Sequence, residues 1–229
     1  MPGSLNTLDR TRLLLDVSLW SGTLSRMAEA IQRTEEYADM YHIDVADAHF
    51  VPSLLFFPDM VAAIRAETSK PLHVHFMLEN PLSQVDDFVS AGADIITIHA
   101  ENGDRIPAVA SRLRERNVAV GLAFQLDTDL NLLDDCLDTI DLVLIMGTPL
   151  GIKGVGLDPR AYERLRTVRA KIASRGMHDT VILSVDGGIR DETVPKLFEA
   201  GTEMITPGSL VFKSPDLAGT ARWVHSLRR

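Results

Sequence analysis

The residues whose types and spacing could do chemistry fall in short stretches. These include His42-Ile43-Asp44, His73-Val74-His75 and Val185-Asp186-Gly187-Gly188, with Leu144-Ile145-Met146 as a fourth stretch that must lie beside them. A strand places alternate side chains on one face, so His42 and Asp44 point the same way, as do His73 and His75. Two such pairs together with Asp186 would make a metal site. A mixed nitrogen and oxygen donor set suits Zn, Fe(II), Mn or Co better than Ca or Mg.

Stretches so far apart in the chain meet only if a closed sheet collects them. Apolar runs of strand length cover 13–18, 40–44, 72–77, 95–99, 118–123, 142–146, 181–186 and 204–206. Between them the hydrophobic spacing becomes helical, as over 24–34 with Met27, Ala28 and Ile31, and over 161–174 with Leu165, Val168 and Ile172. Near-continuous apolar strands that each precede a helix indicate a parallel sheet covered by helices. Eight such units in 229 residues favour a single α/β domain over 1–229, closed as a (β/α)8 barrel, with an open doubly wound sheet as the alternative. In either arrangement reactive residues belong at the C-terminal strand ends, where His42, Asp44, His75 and Asp186 fall. The opening residues 1–10, beginning Met1-Pro2-Gly3-Ser4, read as a flexible start.

Composition limits the partners. With 45% hydrophobic residues the chain can bury a substantial core, and the formal charge of −9 excludes a nucleic-acid footprint. No basic run suggests an anionic membrane, and no apolar run is long enough to span one. A single cysteine, Cys136, rules out an intrachain disulfide framework and suits a reducing cytosol, so a soluble cytoplasmic protein is expected.

Tyr41-His42-Ile43-Asp44-Val45-Ala46-Asp47-Ala48-His49-Phe50-Val51-Pro52, then Val74-His75-Phe76-Met77-Leu78-Glu79-Asn80-Pro81, then Ala91 to His99, then Val185-Asp186-Gly187-Gly188-Ile189 resemble the ribulose-phosphate 3-epimerases in order and spacing over nearly the whole chain. The resemblance implies a TIM barrel of the ribulose-phosphate-binding type. It also implies epimerisation of a ketose phosphate at the carbon next to its carbonyl, with one divalent transition metal held by His42, Asp44, His75 and Asp186. A proton beside a ketone is too weakly acidic to leave unaided, so a cation would stabilise the enediolate while Asp44 and Asp186 exchange roles as base and acid. Ser18 would orient the substrate or a carboxylate, and Met77 and Met146 would pack around the intermediate. Gly187, Gly188, Gly208 and Ser209 would offer backbone N–H groups at helix N-termini to the phosphate. The substrate could be ribulose 5-phosphate or xylulose 5-phosphate, or a related tetrulose or hexulose phosphate, and the exposed helices of the fold suggest a homo-oligomer.

The glycine-rich loop after the sixth strand, with Gly151, Lys153 and Gly154, fits a lid that closes over substrate. It departs from the family's usual Asn-Pro-Gly-Phe-Gly-Gly-Gln, and Lys153 could reach a substrate oxygen or stand in solvent. Ala46 replaces a Met, Ala48 a Gly, Ser53 an Asn, and Phe124-Gln125-Leu126 stands where Asn-Pro is common, so a reshaped pocket is expected. His73 is read as a hydrogen-bonded residue one layer deeper, His99 as a possible substrate contact, His49 and Glu101 as loop residues, and Arg112, Arg114, Glu115 and Arg116 as an exposed helix face. A metal-dependent aldolase or decarboxylase, or a non-catalytic sugar-phosphate-binding barrel, are the alternatives. No strand ends in the lysine that the related decarboxylases use.

Overall fold

The computed structural model describes residues 5–228. Eight parallel strands close on themselves: β1 (Leu14–Ser18), β2 (Met40–Asp47), then, after a two-residue strand β3 (Leu54–Leu55), β4 (Leu72–Met77), β5 (Ile95–His99), β6 (Ala119–Phe124), β7 (Leu142–Met146), β8 (Ile182–Asp186) and β9 (Met204–Thr206). β1 pairs with both β2 and β9, which completes the barrel, and β3 pairs antiparallel with the end of β2. Helices α1 (Met27–Thr34), α2 (Pro58–Glu67), α3 (Val85–Ser90), α4 (Ile106–Glu115), α5 (Arg160–Ser174), α6 (Val194–Glu199), α7 (Ser209–Phe212) and α8 (Leu217–Ser226) lie between or after the strands. The fold is the expected (β/α)8 TIM barrel.

Strands buried on both faces need apolar residues on both, and the alternation sorts them. Outward residues such as Tyr41, Ile43, Val74, Phe76 and Ile96 pack with the helix residues Ile31, Val61, Phe88, Val109 and Leu165. Inward residues Leu14, Met40, Ile95, Leu142, Ile182 and Met204 fill the lower barrel.

Three expectations are corrected. Residues 1–4 lie outside the described ones, but the segment from Leu5 onward is anchored rather than a loose start. Leu5 is 1% exposed and plugs the lower barrel cluster, while Arg10 pairs with Glu203 and donates to the carbonyls of His178, Asp179 and Val181. The second strand runs three residues further than the apolar pattern suggested, because Ala46 and Asp47 pair with Leu55 and Leu54. The segment at 24–34 starts as a 3-10 turn over Leu24–Arg26, and α1 buries Ala30, Ile31 and Thr34 rather than Ala28. The charged face on α4 forms ion pairs from Arg112 and Arg116 to Asp86 and from Arg114 to Asp141. Among the described residues, no helix is long and apolar enough to cross a membrane.

Candidate active site

Register does the first part of the assembly. Pairing of β2 with β4 sets His42 beside His73 and, one inward step higher, Asp44 beside His75. Pairing of β1 with β2 sets Ser18 beside His42, and β8 brings Asp186 in beside Met146 and Thr206. The interior is therefore tiered, with an apolar floor, a polar middle and an open polar top.

At the top, one donor atom from each of His42, Asp44, His75 and Asp186 lies within 4.8 Å of the others. His42 Nε2 is 3.2 Å from Asp44 Oδ1, 3.4 Å from His75 Nδ1 and 3.9 Å from Asp186 Oδ2. His75 Nδ1 is likewise 3.2 Å from Asp44 Oδ1. Two ring nitrogens aimed at one another beside two carboxylates are the donor set of a divalent transition metal, so the residues present fit that group.

The far nitrogen of each ring is occupied, which assigns its tautomer. His42 Nδ1 lies 2.9 Å from Asp16 Oδ2. His75 Nε2 lies 2.8 Å from His99 Nε2, whose Nδ1 lies 3.1 Å from Glu101 Oε2. Glu101 in turn accepts from Thr128 Oγ1 and from the Gln125 N–H, so the altered stretch after β6 serves as a backstop for this chain. His99 is fully buried behind His75 and does not line the cavity, which corrects its reading as a substrate contact. His73 has the deeper hydrogen-bonded place expected of it, between Asp16 and Thr97, and His49 is exposed.

The two aspartates are driven apart. Burial opposes charge on Asp44, but His42 and His75 overcome it and hold its carboxyl well below the usual carboxylate range. Asp186 lacks that compensation: burial and then the neighbouring charges of Asp44 and Asp16, against the pull of His42, raise it to about 7. Burial likewise lowers His75 to about 3, so that ring stays neutral. Ser18 Oγ donates to Asp44 Oδ2 at 3.3 Å.

Above the quartet opens a cavity of about 420 Å³ lined by Ser18, Asp44, His75, Met77, Met146 and Asp186, by the loop residues 148–155, and by Gly187, Gly188, Gly208 and Ser209. Gly187 and Gly188 both have positive φ, and a Cβ on either would collide with Thr148 or Leu157, so only glycine lets the loop after Met146 lie this close. They are not at a helix N-terminus as expected, because the next helix begins at Val194; Gly208 alone directly precedes one, the single turn of α7. This loop is tied at two points. Ser53 Oγ donates to the Gly151 carbonyl at 3.0 Å, and Lys153 donates to the Trp20 carbonyl with its ammonium 4.4 Å from the centre of the Trp20 ring. Gly154 has positive φ in the same loop. Ala46 does not enlarge the hollow. It is buried against Val51 and Met77, with Leu150 of the same loop packed on that cluster.

Sequence reasoning missed Asp16, Trp20, Ser21, Arg190 and Lys213, the last four of which line the cavity. Asp16 carried a readable signal, a carboxylate inside an apolar strand and two residues before Ser18, hence on the same face. Arg190 and Lys213, next to the glycine loops, supply the local positive field that an anionic substrate requires in a chain of net charge −9.

A family model described as the ribulose-phosphate 3 epimerase family matches residues 14–212. The chain belongs to the ribulose-phosphate 3-epimerase family. Membership makes it an isomerase, a carbohydrate epimerase. Among relatives named ribulose-phosphate 3-epimerase, that of Chlamydia pneumoniae is 33% identical over 207 residues and 90% of each chain. That of Synechocystis is 34% identical over 215 residues and 93% of each, and that of Escherichia coli 32% identical over 205 residues, 89% of this chain and 90% of the other. Among solved structures, a 3-hexulose-6-phosphate synthase superposes with a TM-score of 0.67 at 17% identity, over 94% of this chain and 98% of that one. A 3-keto-L-gulonate-6-phosphate decarboxylase from Vibrio cholerae superposes at 0.71 and 17%, over 94% and 97%. At those identities the likeness is one of fold alone.

Proposed function

We propose that this family member epimerises a ketose phosphate at the carbon beside its carbonyl, with the ribulose 5-phosphate/xylulose 5-phosphate pair as the first substrates to test. The observation that carries the reading is the pair Asp44 and Asp186. They reach one cavity from β2 and β8, with environments that favour one ionised and one protonated carboxyl.

His42, Asp44, His75 and Asp186 would hold one divalent transition metal, which supplies electrophilic stabilisation of negative charge developing on the substrate's oxygens. Asp44, ionised, takes the proton from the carbon on its own face. The carbon flattens as the enediolate forms, and Asp186, protonated, delivers its proton from the opposite face, leaving the centre inverted and the two carboxyls with exchanged protonation. The reverse reaction exchanges their roles. Ser18 orients Asp44, and Met77 and Met146 wall the reacting end against water. Gly187, Gly188, Gly208 and Ser209, with Arg190 and Lys213 nearby, receive the phosphate, while Gly151, Lys153 and Gly154 cover it. Bond cleavage has less support, because none of the eight barrel strands ends in a lysine. The exposed Leu54 and Phe57, 79% and 56% accessible, support self-association into a homo-oligomer, which sedimentation would test.

Incubation of metal-loaded protein with a panel of ketose phosphates in heavy water tests the reading. Deuterium at the carbon beside the carbonyl, with inversion, supports it. Cleavage products, or no exchange with any member of the panel, would refute it.

A further inference from the structure

Asp16 faces the barrel interior against His42 and His73, the pair one inward step below Asp44 and His75, and it is fully buried. Its oxygens are used unequally. Oδ2 lies 2.9 Å from His42 Nδ1, 2.6 Å from His73 Nδ1 and 3.5 Å from Thr206 Oγ1, whereas Oδ1 has no hydrogen-bond partner among the described residues. A carboxylate retained for stability alone would satisfy both oxygens or yield its place to an apolar side chain, since desolvating a charge with incomplete pairing is unfavourable. The arrangement makes physical sense if what matters is the nitrogen that Oδ2 occupies.

We propose that Asp16 is a positioning residue. By accepting the His42 Nδ1–H it leaves Nε2 as the nitrogen that meets Asp44 and His75, and so selects the His42 atom offered to a divalent transition metal. The inference rests on reading the quartet as a metal site. His73 braces it: its Nδ1–H donates to Asp16 Oδ2 at 2.6 Å, because a carboxylate can only accept, which holds that oxygen from a second side and leaves His73 Nε2 facing the Thr97 hydroxyl at 2.7 Å. The two imidazoles meet edge to face at 4.7 Å, so His42 is confined by packing as well. The support of His75 differs, because the carboxylate at its far end, Glu101, is 24% exposed and can be replaced there by water. Nothing from solvent can stand in for Asp16.

The test is the isosteric Asp16→Asn variant, which keeps the volume but replaces the carboxylate with an uncharged amide oxygen, a weaker acceptor for both rings, and sets an amide NH2 where Oδ1 meets no partner. Zinc affinity is measured by competition with a chromophoric chelator at one pH, beside the visible spectrum of the cobalt-loaded protein and the thermal midpoint. Thr97→Val is the companion, because it disturbs the same tier without touching His42. Asp16→Asn is expected to weaken zinc binding by about 10–100-fold and to alter the cobalt spectrum, while Thr97→Val lowers the midpoint with affinity held within about threefold. Equal losses of affinity in both variants, or an Asp16→Asn affinity within about threefold of the parent, would overturn the proposal. The parent protein gives a reading that needs no variant: in zinc-loaded protein with 15N-labelled histidine, His42 must carry its proton on Nδ1, and a proton on Nε2 overturns the assignment. A parent that takes up neither zinc nor cobalt would sink the metal reading itself, which separates the two failures.

Discussion

The two ends of the barrel are built from the same strands and obey opposite rules. At the floor, Leu14, Met40, Leu142, Ile182 and Met204 meet Leu5 in an apolar plug. One or two inward steps along those strands stand Asp16 and Ser18 on β1, His42 and Asp44 on β2, and Asp186 on β8. Apolar packing is nondirectional and tolerates exchange of one hydrophobe for another of similar volume. A set of hydrogen-bonded donors and acceptors is directional, and each member decides the proton on the next. Stability is concentrated at one end and chemistry at the other.

The sharpest contrast comes from the top. Asp44→Asn and Asp186→Asn should each lower turnover by at least about 10³-fold, measured by proton exchange at the reacting carbon, because each removes an acid–base group. Near-normal turnover in either variant would end the two-carboxyl mechanism. At the floor, Leu142→Ala should lower unfolding free energy by about 2–5 kcal/mol in denaturant titrations, with turnover per folded molecule preserved. If activity fell in proportion, the two ends would not be separable.

With metal stripped by a chelator, pH distinguishes the ends again. Asp186 is raised from its ordinary 3.8 to about 7, so the folded state holds this proton more tightly than the unfolded chain. Its contribution to stability is complete below about pH 4 and is lost as pH rises through about 7. Relative to Asp186→Asn, the parent should therefore lose on the order of a few kcal/mol across that window. Parallel stability curves would show that the carboxyl is not held protonated. The smallest effect lies beside the site: Ala48 sits at φ 61°, a conformation glycine adopts without strain. Ala48→Gly should stabilise the fold by about 0.5–1 kcal/mol in the same titrations.

Legibility followed the range of the interactions. Alternation along one strand is local, so the pattern alone pairs His42 with Asp44, and His73 with His75, on one face. Each expected barrel strand coincides with an observed one to within a few residues, since an apolar run leaves few other options. Gly187 and Gly188 were recognisable as turn-forming residues at the cavity, but their placement was misjudged, because where a helix starts after β8 depends on how residues 189–193 turn. The room expected at Ala46 is taken by Val51 and by Leu150, about a hundred residues away in the chain.

From the chain alone came the closed parallel barrel, the donor quartet at its C-terminal strand ends and the kinship with an epimerase family, because side-chain periodicity and short motifs are local properties. Tertiary structure decided that Asp16 backs His42, that His99 turns behind His75 and away from the cavity, that Leu5 seals the floor, and that Lys153 rests on Trp20. These contacts join segments set side by side by barrel closure and strand register. Which residues share a rung is determined by the folding of the whole sheet, and no single strand's pattern encodes it.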